Sequence, residues 1–382
     1  MKLYQKADQI KLVHSGHNYF ELLEDIINSS KKVLHIQTYI FKTDSTGLRI
    51  VNALKKAALR KVQIFIMLDA FGSSSFSRKV IHELREAGVQ FRFFAPLFSS
   101  ENIHIGRRLH YKIVVADKRV ALTGGINIAD KYSGNEQTNP WLDYAILTEG
   151  AVCEYLHLLC EQVFSHKNQS DLRKWENSIT PPPSGQNYLI RYRLNDRLRR
   201  RDEIHKSYKA HIQNATKSIT IIASYFLPSR TFRQLIATTS ARGVKIRIVL
   251  TKESDTLSAR LAESYLYAYY LRNKIQLFEW KNSVMHGKAM IVDEEWATIG
   301  SYNINFLSHY LSMELNTEVQ DSEFAKIFLQ HVDDIVENGC INIDLNKYGQ
   351  TNNLLKKFAM WLAYNFFRIL KNISVRKKNG LR

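Results

Sequence analysis

Two histidine–lysine pairs carry the chemistry of this chain. His110 and Lys112 open the run HYKIVVAD (110–117), and His286 and Lys288 open HGKAMIVD (286–293). Both read His-x-Lys, four residues, Asp. A neutral imidazole can attack phosphorus, and a second, protonated imidazole can donate to the leaving oxygen. Two lysines can neutralise the charge that builds on the non-bridging oxygens. Such a set performs phosphoryl transfer with no metal and no other cofactor. Each half supplies only one His and one Lys, so the two copies must meet across one cleft.

The residues beyond each pair match by offset. Fifteen residues after each His stands a small residue, Gly125 or Ser301, and seventeen after stands Asn127 or Asn303. The asparagines add donors for a phosphoryl group. Glu314 follows His286 by twenty-eight; the same offset in the first half falls on Thr138, and Asp143, five further on, is the expected substitute if 133–140 is an insertion. A carboxylate behind each His would fix its tautomer and raise its basicity. Asp117 and Asp293 complete the motif and join the candidate set. In a strand, however, residues an odd number apart point to opposite faces, so each Asp lies off its histidine's face. We therefore read both as structural, holding a strand end.

The elements that must position these groups are also duplicated. VLHIQTYIF (33–41) parallels ITIIASYFL (219–227), each after a helical pattern that ends in a lysine-bearing turn. A second helical pattern and strand follow in each: 53–69 against 236–252. A repeat this long implies two homologous domains, and the alternation of β-rich runs with helical patterns reads as α/β. Pro-Pro-Pro-Ser-Gly within 170–188 breaks both helix and strand and marks a linker. The expected organisation is 1–169, linker 170–188, 189–344, and a tail 345–382. The arginine-dense stretch 191–203 reads either as a solvated helix start or as an anion-facing entrance. Tyr39 and Tyr225 hold equivalent positions at strand ends and read as cleft lining or core packing. Asp69 to Gly72 reads as a strand-to-loop exit near the cleft or an ordinary glycine turn. His104, His205 and His309 show no partner spacing and read as ordinary.

Composition bounds the partners. The chain has 382 residues, 45% hydrophobic and 24% charged, with a net charge of +18. That surplus suits nucleic acid, an anionic membrane or a phosphate-bearing substrate, or is a solvated basic surface. Cys153, Cys160 and Cys340 give no disulfide framework or metal-ligand spacing and fit a reducing compartment. No signal peptide and no membrane-spanning run is visible.

The tail concentrates the charge: residues 345–382 hold nine Lys or Arg and no Asp or Glu. Within 354–373, Leu355, Phe358, Leu362, Phe366, Ile369 and Ile373 fall on one helical face, with Lys356, Lys357, Tyr364, Arg368 and Lys371 opposite. Such a basic amphipathic helix, continued by Arg376, Lys377 and Lys378, suits an anionic bilayer surface through 354–378. The competing reading packs the apolar face on the body of the protein.

The two motifs with their tails, together with WLDYAILTEGAV (141–152), SYFLPS (224–229) and SMELN (312–316), resemble the phospholipase D superfamily, and within it bacterial cardiolipin synthases of a short form without N-terminal spanning helices. The resemblance extends from about Ser15 to Phe328. It implies two phospholipase D-like domains, each a mixed sheet flanked by helices, sharing one active-site cleft. It also implies a phosphatidyl-histidine intermediate, with His110 as nucleophile and His286 as acid and base. The expected substrate is phosphatidylglycerol, with the enzyme peripheral on the cytoplasmic face of the bacterial membrane. The alternatives are a hydrolase or nuclease using the same intermediate, and a basic binding module without activity. The lipid-type tail disfavours nucleic acid, and the two intact motifs disfavour the inactive module.

Overall fold

The computed structural model of the chain describes residues 1–379 except 2, 97–106, 166–169, 181, 183–187, 197–200 and 352. His104 and most of the Pro-Pro-Pro-Ser-Gly stretch lie outside the described residues. So do the side chains of 370–379, among them Lys371, Ile373 and Arg376 to Lys378.

Two sheets repeat one topology. The first is built from β1 (Gln9–His14), β2 (Val33–Thr38), β3 (Gln63–Asp69), β4 (Gln90–Phe94), β5 (Lys112–Ala116), β6 (Val120–Gly124) and β7 (Tyr144–Glu149). The main strands of the second are β8 (Leu189–Asp196), β9 (Ser218–Ala223), β10 (Lys245–Thr251), β11 (Gln276–Trp280), β12 (Lys288–Val292), β13 (Trp296–Gly300) and β14 (Ser312–Gln320). The orders are β1-β7-β6-β5-β2-β3-β4 and β8-β14-β13-β12-β9-β10-β11, the same path seven strands on. Each is mixed. β2, β3 and β4 run parallel, as do β9, β10 and β11, and the motif strands β5 and β12 pair antiparallel to β2 and β9.

The motif strands are apolar because both faces are covered. Ile113 and Val115 join Ala289 and Ile291 in one shared core, whereas Val114 and Ala116 enter a separate core under the first half's helices. Met290 and Val292 enter the matching core of the second half. Two of the flanking helices start at side-chain caps. Asp44 accepts from Gly47 N ahead of helix Ser45–Leu59, and Asp321 accepts from Phe324 N ahead of helix Ser322–Gly339.

Two short segments of the first half cross over: Gln5–Lys6 pairs with β8, and Arg108–Leu109 pairs with β14. The stretch read as linker begins with an ordered helix, Ser170–Ser178, in which Leu172 is buried. In the arginine-dense stretch after it, 191–196 belong to β8, Arg201–Asp202 is a short strand, and a helix starts at Glu203. Arg191 and Arg193 lie on β8 and pair with the buried Glu318, because β8 is an inner strand that needs a carboxylate for its charges.

The C-terminal helix Leu354–Asn379 packs by the face the sequence marks as polar. Met360 is buried, Tyr364 stacks on Tyr265 at 4.8 Å, and the Arg233 guanidinium lies 5.8 Å from the Tyr364 ring. The apolar face points outward: Leu355 is 80% exposed, Phe358 58%, Leu362 49%, Phe366 56% and Ile369 57%. Among the described residues no helix is long and apolar enough to cross a membrane.

Candidate active site

The crossed strand pairings assemble the site. Arg108–Leu109 runs parallel to Ser312–Met313, and His110 N donates to Met313 O at 2.9 Å. That register sets His110 against the next residue of β14. His110 Nδ1 donates to Glu314 Oε2 at 2.8 Å, and Ser301 Oγ donates to the same oxygen at 2.5 Å. The mirror pairing joins Leu142 to Met285, with His286 N donating to Leu142 O at 2.7 Å. His286 Nδ1 then meets Asp143 Oδ2 at 2.5 Å. Each carboxylate thus serves the histidine of the other half. In both pairs Nδ1 is engaged, which leaves Nε2 free for a substrate.

The displaced acid of the first half proves equivalent to that of the second. Gly124 faces Ala145, and Gly300 faces Asn316. Asp143 and Glu314 each stand two residues before those partners, so they occupy the same register. Gly125 and Ser301 likewise correspond, and the structure explains their difference. A Cβ on Gly125 would sit 2.3 Å from Asp143 Oδ1. The shorter acid holds its carboxyl close to β6, where no side chain fits. Tyr144 N, at 2.8 Å, takes the donor role that Ser301 plays for Glu314.

The lysines lie inside the site. Lys112 Nζ donates to His110 O at 2.6 Å, and Lys288 Nζ donates to His286 O while standing 2.9 Å from His286 Nδ1. Both are buried. Burial lowers Lys112 to about 7 and Lys288 to about 8, even though nearby carboxylates pull the other way. Burial also lowers His110, and it lowers His286 further because Lys288, Lys112 and His110 surround it with positive charge. Burial raises the Asp143 carboxyl to about 6 against the pull of Lys288. Charges of each motif act on the other's histidine, so the two halves form one electrostatic unit.

Asp117 and Asp293 are not brought to the imidazoles. Asp117 accepts from Lys31 N, Lys32 N and Val33 N at 2.7–2.9 Å, and Asp293 accepts from Thr216 N, Lys217 N and Ser218 N over the same range. They tie the lysine-bearing turns to the motif strands. Burial would raise both carboxyls, but the amide donors hold them below the usual range. Asn127 is spent on the framework, accepting from Ile40 N and donating to Tyr132 OH; Asn303 accepts from Ser224 Oγ and lines the cavity beside the site.

That cavity, of about 960 Å³, reaches from His110 to the C-terminal helix. Tyr39 and Tyr225 both line it, and the Tyr39 ring meets His110 edge-on at 4.9 Å. Asp69 holds the approach to His110 in place by accepting from Leu109 N, Phe71 N and Gly72 N at 2.8–3.0 Å. Trp141 and Tyr132 flank His286, and Lys131 Nζ lies 3.6 Å from the Trp141 ring centroid.

Three wall residues escaped the sequence reading. Arg108 carries a buried Nη1 that finds no hydrogen-bond partner among the described residues, and its identity two residues before His110 was the available signal. His205 and His309, read as ordinary, meet as tilted rings with centroids 4.6 Å apart, and Tyr302 OH lies within 3.4 Å of both. Their sequence separation gives no hint of this meeting. Elsewhere, His35, His157 and Glu161 bring metal-ligand-type atoms within 4.8 Å of one another; they do not line the cavity.

Comparison with known proteins gives the family and the fold. The family model described as cardiolipin synthase, phospholipase D-like domain, matches residues 23–143 and again 208–336, once per half. Cardiolipin synthase B of Escherichia coli (strain K12) is 28% identical over 379 residues, covering 96% of this chain and 89% of its own. A probable cardiolipin synthase of Bacillus subtilis is 26% identical over 329 residues, covering 85% of this chain and 65% of its own. The crystal structure of a phosphatidylserine synthase from Haemophilus influenzae shares the fold at a TM-score of 0.75 and 14% identity, covering 98% of this chain and 96% of that one. With its family domain matched twice, the chain belongs to the cardiolipin synthase family of the phospholipase D superfamily and is a phospholipid phosphatidyltransferase of that superfamily.

Proposed function

We propose that the protein is a cardiolipin synthase that joins two phosphatidylglycerol molecules through a phosphohistidine intermediate. The observation that carries this reading is the crossed pairing of His110 with Glu314 and His286 with Asp143 around one charged site. His110 lines the open cavity and is held neutral, which suits it to attack. Its Nε2 bonds to the phosphorus of the donor lipid, and the bond from phosphorus to the glycerol oxygen breaks. His286 Nε2–H protonates that oxygen, and glycerol leaves. The head hydroxyl of a second phosphatidylglycerol then gives its proton to His286 and attacks phosphorus. His110 is released and cardiolipin forms. Lys112 and Lys288 neutralise the non-bridging oxygens at both steps. Because Asp143 is raised toward neutrality, it can share one proton with His286 as the imidazole alternates between acid and base.

The outward apolar face of the C-terminal helix supports docking on a bilayer. Apolar side chains would enter the acyl boundary while the flanking lysines meet anionic headgroups. We place the enzyme as a peripheral protein on the cytoplasmic face of the bacterial membrane, with its two domains divided near 170–188. The test is product analysis with phosphatidylglycerol in mixed micelles. Cardiolipin with released glycerol is expected; phosphatidic acid alone would make it a hydrolase, and DNA cleavage without lipid turnover would sink the lipid reading.

A further inference from the structure

The cavity beside the site is also lined by arginines that the two motifs do not supply. Arg230 and Arg233 stand one turn apart at the start of helix Arg230–Ala241, whose Ser229 cap and first turn line the cavity. Arg368, on the C-terminal helix, lines it one turn beyond Tyr364, over whose ring Arg233 lies. Among the described residues none of the three reaches a carboxylate; Arg233 donates to Pro228 O at 3.0 Å and otherwise meets the Tyr269 and Tyr364 rings. Three arginines and a helix N-terminus lining one cavity make a field for an anion.

We infer that Arg230, Arg233 and Arg368 form a second phosphate subsite, which holds the phosphodiester of the acceptor lipid while its head hydroxyl reaches the catalytic centre. The inference rests on the proposed lipid transfer and deepens it. The reaction must bring together two lipids that each carry a negative phosphate. Lys112 and Lys288 offset only the one that reacts. A second anion entering the same cavity needs its own cations, and these arginines supply them. Arg368 sits on the helix whose opposite face is apolar and outward, so the subsite lies at the edge from which a bilayer lipid would arrive.

The acceptor's phosphate can be separated from the chemistry. Exchange of labelled glycerol into phosphatidylglycerol uses the same donor and intermediate, but its acceptor has no phosphate. Cardiolipin formation needs an acceptor that has one. In nonionic micelles, Arg230→Gln and Arg368→Gln, tested singly and together, are expected to lower the ratio of cardiolipin formation to glycerol exchange about tenfold or more, as loss of charge-assisted bonds to phosphate would. Lysine at either position should restore part of the ratio. The two positions sit on different helices, so misfolding of one does not mimic the other. A parallel fall in both reactions, or an unchanged ratio, overturns the subsite. Absence of both reactions in the unmodified protein would instead overturn the lipid-transfer reading.

Discussion

The two halves of the site share a register but not a composition. In one, His110 leans on Glu314, which Ser301 holds; in the other, His286 leans on Asp143, which sits against Gly125 with a backbone amide as its donor. Removing one methylene from the acid and the whole hydroxymethyl group from its neighbour keeps the carboxyl in place and changes its surroundings. His110 faces an open cavity, whereas His286 lies between aromatic rings with Lys288 against its ring nitrogen. The proposed division into an attacking half and a proton-handling half rests on that difference, while each half borrows its carboxylate from the other.

The largest effect should come from breaking either half outright. His110→Ala and His286→Ala are each expected to lower cardiolipin synthesis by a thousandfold or more, since nucleophile or acid is lost. Comparable turnover in either variant would refute the shared site. Next come the borrowed acids. Asp143→Asn and Glu314→Gln should each cost on the order of a hundred- to ten-thousandfold in kcat by fixing the wrong tautomer. A variant of one acid should resemble loss of the other half's histidine, which kinetics of glycerol exchange can read. The Gly125 contact sharpens the comparison further. Gly125→Ser, although it copies the second half, should impair activity by about ten- to a hundredfold because it displaces Asp143, and Ser301→Ala should cost less than about tenfold, the loss of one orienting bond.

The pH profile separates the halves more gently. Asp143 must be ionised to hold His286, so kcat/KM should fall as pH drops through about 6. Lys112 and Lys288 must be charged, so it should fall again as pH rises through about 7 to 8. Asp143→Asn should remove the acid limb, and a profile with the limb unchanged would assign it elsewhere. The smallest effect concerns the tail. Leu355→Lys with Phe358→Glu should reduce sedimentation with anionic vesicles several-fold while sparing turnover in micelles, given the apolar area removed from the bilayer. Equal vesicle binding would leave the outward face without a membrane role.

The duplication was legible because strand motifs preserve spacing. The His, Lys, Gly or Ser, and Asn positions follow from counting, and parity already removed Asp117 and Asp293 from the imidazole faces. The crossing of carboxylates between halves was not legible, because it depends on Arg108–Leu109 and Leu142 pairing with segments some 140–200 residues away, and long-range register leaves no local trace. The meeting of His205 with His309 was hidden for the same reason. The amphipathic tail was visible from its periodicity. Which face would pack was not, because Tyr364 and Arg368, read as polar, find aromatic and cavity partners on the body of the protein.

The division of labour between the halves is tested most directly by trapping the intermediate. Phosphatidylglycerol labelled at phosphorus would be mixed with the enzyme, quenched in neutral detergent within one turnover, and the labelled peptide identified by mass spectrometry. The account predicts label on His110, retained in the presence of Glu314 and absent in His110→Ala. Label on His286, or turnover with no labelled histidine, would contradict it.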